Sequence, residues 1–124
     1  MFEITVSGNF SSAHNLRHYQ GKCEKLHGHN WRVDVTVCGK PDTESGMVID
    51  FGILKRELEK ILEKLDHAYL NDIDYFKKAN PSSENIAFFI FKKLEKSLIR
   101  YGVKVRRVTV WENERQRASY CKLD

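Results

Sequence analysis

A chain of 124 residues, 41% hydrophobic and 31% charged, is long enough for one domain with its own core and too apolar for intrinsic disorder. No apolar run reaches the ~20 residues that cross a bilayer, and residues 1–5 lack the basic and apolar regions of a secretory leader, so a cytoplasmic protein without a membrane partner is expected. The 21 Lys and Arg exceed the 17 Asp and Glu by four, but they are interleaved along the chain, which argues for a solvated surface and no nucleic-acid partner.

Residues 2–12 alternate in period two. Phe2, Ile4, Val6 and Phe10 share one face and Glu3, Thr5, Ser7, Asn9 and Ser11 the other, the pattern of a half-buried strand. Residues 29–38 repeat it, with Trp31, Val33, Val35 and Val37 set against Arg32, Asp34, Thr36 and Cys38. From Asp50 to Leu65 the period becomes helical. Phe51, Leu54, Leu58, Ile61, Leu62 and Leu65 form one stripe, and Asp50 is placed to cap it. Pro81-Ser82-Ser83-Glu84 opens a second helix with a stripe of Ile86, Phe89, Ile90, Leu94 and Leu98, and Gly102 offers a left-handed stop. Residues 103–112 and 118–123 flank the polar turn Asn113-Glu114-Arg115-Gln116 as a hairpin. The order is ββααββ. This predicts one α+β domain over residues 1–124, a four-stranded antiparallel sheet with two helices on its apolar face.

The chemistry concentrates in Cys23-Glu24-Lys25-Leu26-His27-Gly28-His29. Side chains two apart on a strand point the same way, so His27 and His29 converge if the second strand begins there. His14 carries the even-numbered face of the first strand past its end. If the strands pair antiparallel without a bulge, three imidazoles meet at one end of the sheet. A lone histidine would be an ordinary loop residue, but three with an open fourth position describe a catalytic zinc site. Cys23 could be a fourth ligand or could face away. His18 has no strand to place it and reads as a surface residue. Three scattered cysteines, Cys23, Cys38 and Cys121, do not form a disulfide framework, and at least one thiol is expected to be free.

Asp66-His67 follows the first helix. The two can form a dyad only if the helix has ended, in which case His67 would serve as a base or proton relay; otherwise it is a histidine favoured by a helix C-terminus. Glu84 in a first helical turn is explained by the dipole alone. Glu112, ending an apolar strand, either faces water or anchors a ligand's N–H groups.

Taken together, Phe10-Ser11-Ser12-Ala13-His14, Cys23-x3-His27-Gly28-His29, Gly46-Met47-Val48-Ile49-Asp50-Phe51, Leu65-Asp66-His67-x2-Leu70-Asn71, Pro81-Ser82-Ser83-Glu84-Asn85 and Glu112 resemble the 6-pyruvoyl-tetrahydropterin synthase family. Within it the chain looks most like the 6-carboxy-tetrahydropterin synthase branch of queuosine and deazapurine biosynthesis. The resemblance runs in order from about residue 2 to residue 123. Two blocks differ from the common family pattern: Glu112-Asn113 stands where Glu-Thr is frequent, and Ser82 where Thr is frequent.

The resemblance implies that His14, His27 and His29 ligate one Zn2+ per subunit, that Cys23 is the general base, and that Asp66 and His67 handle its proton. It implies Glu112 as the pterin anchor, with Ser83 and Glu84 contributed from a neighbouring subunit. The implied substrate is 7,8-dihydroneopterin triphosphate, cut to the 6-carboxy product with release of acetaldehyde and triphosphate; the rival product is 6-pyruvoyl-tetrahydropterin. Arg17, Lys22 and Lys25 are candidates to meet the triphosphate. The implied tunnelling fold closes protomers into a barrel, usually a hexamer of two trimers, with sites at subunit interfaces. Exposed edge strands independently predict a closed oligomer. From another class, a zinc-stabilised nucleic-acid-binding module would need four protein ligands and would unfold on chelation.

Overall fold

A computed structural model describes residues 1–21 and 24–123. In chain order it contains β1 (Phe2–His14), β2 (His27–Gly39), α1 (Phe51–Leu65), β3 (Ala68–Tyr69), a 3-10 turn (Leu70–Asp72), α2 (Asp74–Lys78), α3 (Ser83–Leu98), a second 3-10 turn (Ile99–Tyr101), β4 (Lys104–Asn113) and β5 (Gln116–Cys121). The α+β class, the two long helices and the terminal hairpin follow the sequence. The sheet does not have four strands. It has five, in the order β3-β1-β2-β4-β5, and it is mixed, because β3 pairs parallel to β1 at Ser12 and Ala13. Two residues long, β3 has no periodicity to read, and the same holds for the one-turn α2.

Alternation sets the two faces. Val6, Phe10, Trp31, Val33, Val35, Val37, Val105, Val108 and Val110 are buried, and they meet Leu54, Leu58, Leu62 and Leu65 of α1 and Ile86, Ile90, Leu94 and Leu98 of α3 in one core. Each such aliphatic side chain contributes about 1.5–3 kcal/mol of burial. Gly8 lets α1 seat against β1: a Cβ there would stand 2.7 Å from Cδ1 of Leu62 and 3.2 Å from Cδ2 of Leu58. Asp50 caps α1 by accepting from the Gly52 N–H at 2.6 Å, and Ser82 caps α3 through the Asn85 N–H at 3.1 Å. Gly102 ends the second 3-10 turn at φ 70°.

Two expectations about the core fail. Phe2 and Phe51 are 60% and 59% exposed, although each carries the apolar parity of its element. Periodicity gives direction, not how far the facing layer reaches, and both residues open their elements. Glu57, on the polar side of the pattern, is buried instead, held by Lys60 at 3.1 Å and Arg100 at 3.4 Å.

β1 and β2 pair without interruption from Phe2↔Gly39 to His14↔His27. β4 is irregular at two places. Its pairing with β2 steps from Arg107↔Thr36 to Val105↔Val37, and its pairing with β5 from Trp111↔Arg117 to Asn113↔Gln116. Arg106 and Glu112 are therefore the extra residues of two β-bulges.

A candidate three-histidine metal centre

The uninterrupted β1–β2 register brings His14 directly opposite His27 and places His29 opposite Ser12, all continuing the buried parity. The imidazole ring centres lie 4.6 Å (His14–His27), 5.3 Å (His14–His29) and 4.8 Å (His27–His29) apart. One nitrogen from each falls within 4.8 Å of the others. Trp31, fully buried, forms the floor, 4.9 Å from the His14 ring and 5.2 Å from that of His29.

The hydrogen bonds behind the rings fix their tautomers. Nδ1 of His14 lies 2.7 Å from the Pro81 carbonyl oxygen, and Nδ1 of His27 lies 2.8 Å from that of Lys25. A carbonyl can only accept, so both Nδ1 atoms carry the proton. Burial depresses the pKa of His14, and the neighbouring imidazoles add to it, so this ring is neutral and its Nε2 is a bare lone pair. Yet Nε2 of His14 and of His27 face each other at 3.1 Å. With each Nδ1 donating to a carbonyl, the two Nε2 atoms are the ring positions left facing each other, and an electrophile held between them would satisfy both. Nitrogen ligands about 2.0–2.1 Å from a tetrahedral zinc stand about 3.3 Å apart. Nε2 of His29 is buried with no hydrogen-bond partner, as are Oγ of Ser12 and Nε1 of Trp31; all three cluster here. Neutral imidazoles oriented through carbonyl partners are the donor set that suits zinc. The residues fit the metal.

Glu112 is brought to the same place by its bulge. Its Oε1 lies 3.7 Å from Nε2 of His29 and accepts from Nε2 of Gln116 at 2.9 Å. Asp66 and His67 form the dyad that the end of α1 allows. Asp66 leaves the helix in extended conformation and His67 is left-handed at φ 52°, which swings Nδ1 of His67 to 2.9 Å from Oδ2 of Asp66. The Ser11 N–H, donating to Asp66 at 2.8 Å, is the main reason its carboxyl titrates below the ordinary range, with His67 adding to it. The dyad is not joined to the imidazoles: among the described residues no hydrogen bond or ion pair connects them. His67 is 83% exposed and opens onto a hollow lined by Ser11, Ala13, Gly28 and Asn30 of the polar sheet face, and by His29.

Cys23 and Lys22 lie outside the described residues. Ser83 and Glu84 open α3, just past Pro81, and neither makes a side-chain hydrogen bond or ion pair among the described residues; Glu84 is exposed. The Arg17 guanidinium donates to the Phe76 carbonyl through one of its nitrogens, and Lys25 is exposed. His18 is exposed, as expected. Among the described cysteines, Cys38 and Cys121 are free thiols.

Sequence reading missed the residues that hold the loop leaving His14. Asn71 accepts from the Asn15 N–H at 3.1 Å and donates to the Asn15 carbonyl at 2.8 Å. Asn80 does the same to Arg17, at 2.9 and 2.7 Å. Each amide imitates a peptide group and makes a two-point clamp. The Asn80-Pro81 pair carries a turn signal, but no pattern marks the backbone that such an asparagine grips.

Residues 3–122 match the family model described as 6-pyruvoyl tetrahydropterin synthase. The 6-carboxy-5,6,7,8-tetrahydropterin synthase of Synechocystis is 44% identical over 102 residues, covering 78% of each chain. The 6-pyruvoyl tetrahydrobiopterin synthase of Homo sapiens is 40% identical over 102 residues, covering 77% of this chain and 70% of the human one. In three dimensions the chain is similar to the 6-pyruvoyl tetrahydropterin synthase of Caenorhabditis elegans, with a TM-score of 0.85 at 28% identity, over 98% of this chain and 96% of that one.

Proposed function

Because the chain belongs to the 6-pyruvoyl tetrahydropterin synthase family, we propose that it is a zinc-dependent lyase, a 6-carboxy-5,6,7,8-tetrahydropterin synthase serving queuosine and deazapurine biosynthesis. It would take 7,8-dihydroneopterin triphosphate and one water to 6-carboxytetrahydropterin, acetaldehyde and triphosphate. The observation that carries this reading is the trio of imidazoles, two of them with Nε2 atoms facing each other 3.1 Å apart.

His14, His27 and His29 hold the metal, which when bound supplies Lewis-acid polarisation of the substrate's side-chain oxygens. Glu112 grips the N–H edge of the pterin with its carboxylate, one oxygen of which Gln116 already steadies. Cys23 takes the proton from the side-chain carbon beside the developing carbonyl. His67, whose Nδ1 is held by Asp66, keeps Nε2 as the basic atom and relays that proton towards the pterin ring.

The dyad opens on the polar sheet face and the imidazoles continue the buried one, so a working site takes the two from different copies. The free edges supply the means. β5 ends the sheet, and β3 covers only Ser12 and Ala13 of β1, leaving strands that can pair between protomers in a closed oligomer. A hexamer of two trimers, with Ser83 and Glu84 reaching a neighbour's site, is the assembly we infer.

The second reading is the 6-pyruvoyl product, favoured by the human and nematode relatives. The higher identity to the Synechocystis protein supports the 6-carboxy reading. Incubation with dihydroneopterin triphosphate and mass analysis decide between them. The 6-carboxy product with equimolar acetaldehyde is expected, the 6-pyruvoyl product without it would select the second reading, and unaltered substrate would refute both.

A further inference from the structure

Trp111, on the polar face of the sheet, immediately precedes the bulge that delivers Glu112 to the metal centre. It is the last residue of β4 in register with both neighbouring strands, opposite Arg32 of β2 and Arg117 of β5. Three side chains hold its indole. The Arg32 guanidinium lies 5.1 Å from the ring centre and that of Arg117 4.6 Å, one from each neighbouring strand. The indole Nε1 donates to Oδ2 of Asp34 at 3.0 Å.

Asp34 is itself fixed. Its Oδ1 accepts from Oγ of Ser7 at 2.6 Å and from Nε of Arg32 at 3.0 Å, and its Oδ2 accepts from Nη2 of Arg32 at 3.2 Å as well as from the indole. Both oxygens are therefore occupied by donors, and one carboxylate joins β1, β2 and β4. The other polar pairs on this face join two strands each: Thr5 with Thr36 at 2.8 Å, Ser11 with Asn30 at 2.7 Å and Thr109 with Ser119 at 2.7 Å.

A bulge is where a strand can slip, and moving the extra residue by one position would re-aim the side chains beside it. Gln116 steadies the Glu112 carboxylate from beyond the bulge, at 2.9 Å. The Trp111 indole fixes the backbone in front of it. Arg32, Trp111, Glu112 and His29 border one hollow, so the tie stands beside the place where Oε1 of Glu112 lies 3.7 Å from Nε2 of His29. We propose that Asp34, acting through the Trp111 indole N–H, is a positioning residue for Glu112, holding the bulge in the register that aims the carboxylate at the pterin N–H edge. The inference rests on the synthase reading, in which Glu112 anchors the pterin.

Two variants cut the tie, one at each end. Trp111→Phe keeps an aromatic ring for the guanidiniums and lacks the donor. Asp34→Asn sets an amide NH2 against the indole N–H or against the Ser7 and Arg32 donors. In calorimetric titration of the zinc-loaded protein with 7,8-dihydroneopterin, each should raise the pterin Kd about three- to tenfold, a coupling of the size found between contacting residues. With the triphosphate substrate KM should rise while kcat stays within about twofold, at unchanged zinc affinity. Added to Glu112→Gln, neither change should weaken the pterin further, because the charge they aim is gone. Thr36→Val, which breaks the bond to Thr5 on the same face, is the control: stability should fall and the pterin Kd stay as it was. Equal loss of pterin affinity with and without Glu112→Gln, a similar loss in Thr36→Val, or wild-type affinity in both folded variants overturns the positioning role while the synthase reading stands. Unsubstituted protein that binds no dihydroneopterin overturns the synthase reading, and this inference with it.

Discussion

His14 and His27 would be equivalent as zinc ligands and are very unequal as parts of the fold. Replacing His14 by Ala removes a ring that is 2% exposed and packs edge-on against Trp31. It also strips the Pro81 carbonyl of the N–H it accepts from at 2.7 Å. A lost buried ring and an orphaned acceptor together cost about 2–4 kcal/mol. The His27 side chain is 36% exposed and its carbonyl partner lies at the surface, so His27→Ala should cost less than about 1 kcal/mol. Both changes remove a direct ligand, and both should weaken zinc at least ~100-fold, beyond the ~10–100-fold that loss of an outer partner brings. Urea melts with and without chelator, beside zinc titration against a chromophoric competitor, separate the effects. In chelator His14→Ala should melt well below wild type while His27→Ala stays close to it. Free zinc at 100 times the wild-type Kd should then add about 2.7 kcal/mol to wild type and far less to either variant. Zinc affinity unchanged in either variant, or equal destabilisation of both in chelator, would refute this account of the centre.

Cys23→Ala should keep zinc and fold while turnover drops by roughly 10²–10⁴, and His67→Ala should behave alike; loss of zinc in step with activity would make the cysteine a ligand instead. Glu112→Gln should weaken substrate by about 1.5–3 kcal/mol at constant zinc content, and an unchanged substrate Kd would return Glu112 to the solvent. Partial burial pushes Asp34 upward, but hydrogen bonds from Ser7, Trp111 and Arg32, with the Arg32 charge, hold its pKa below the ordinary carboxylate range. A depressed native pKa adds stability above the unfolded value of ~3.9 that is lost as pH falls through the native one. Stability of Asp34→Asn should therefore fall less than wild type between pH 5 and pH 2, and parallel urea-melt series would contradict this. Sedimentation at micromolar protein should show a closed oligomer, and a monomer alone would end the two-copy site.

What could be read from sequence was what repeats. Period two oriented β1 and β2, and because nothing interrupts their pairing, parity alone was enough to bring His14, His27 and His29 together. The bulges of β4 have no such signal, so the proximity of Glu112 to His29 followed from resemblance and not from pattern. The five-stranded sheet was missed because β3 depends on where the chain goes after α1. That turn is made by a histidine in left-handed conformation, with no glycine to announce it. The same turn places the dyad on the polar face, a consequence that neighbouring letters in a sequence do not convey. Asn71 and Asn80 act through backbone, and backbone has no letters.

Those two asparagines divide the connection between β1 and β2 into parts with different freedoms. Residues 15 and 17 are stapled to the body of the protein, and Leu16 is itself bonded to Glu24 on the returning limb, through Glu24 N–H to the Leu16 carbonyl at 2.8 Å and Leu16 N–H to the Glu24 carboxylate at 3.1 Å. A change in length or composition between the staples and Glu24 is thereby insulated from His14. Chain added there would lengthen a closed excursion, at an entropic cost that grows only as the logarithm of its length, without pulling on the imidazoles. For an engineer the part of the excursion that precedes Cys23 is a cassette: it can be exchanged to recut what the centre admits, while the atoms that would hold the metal stay in register.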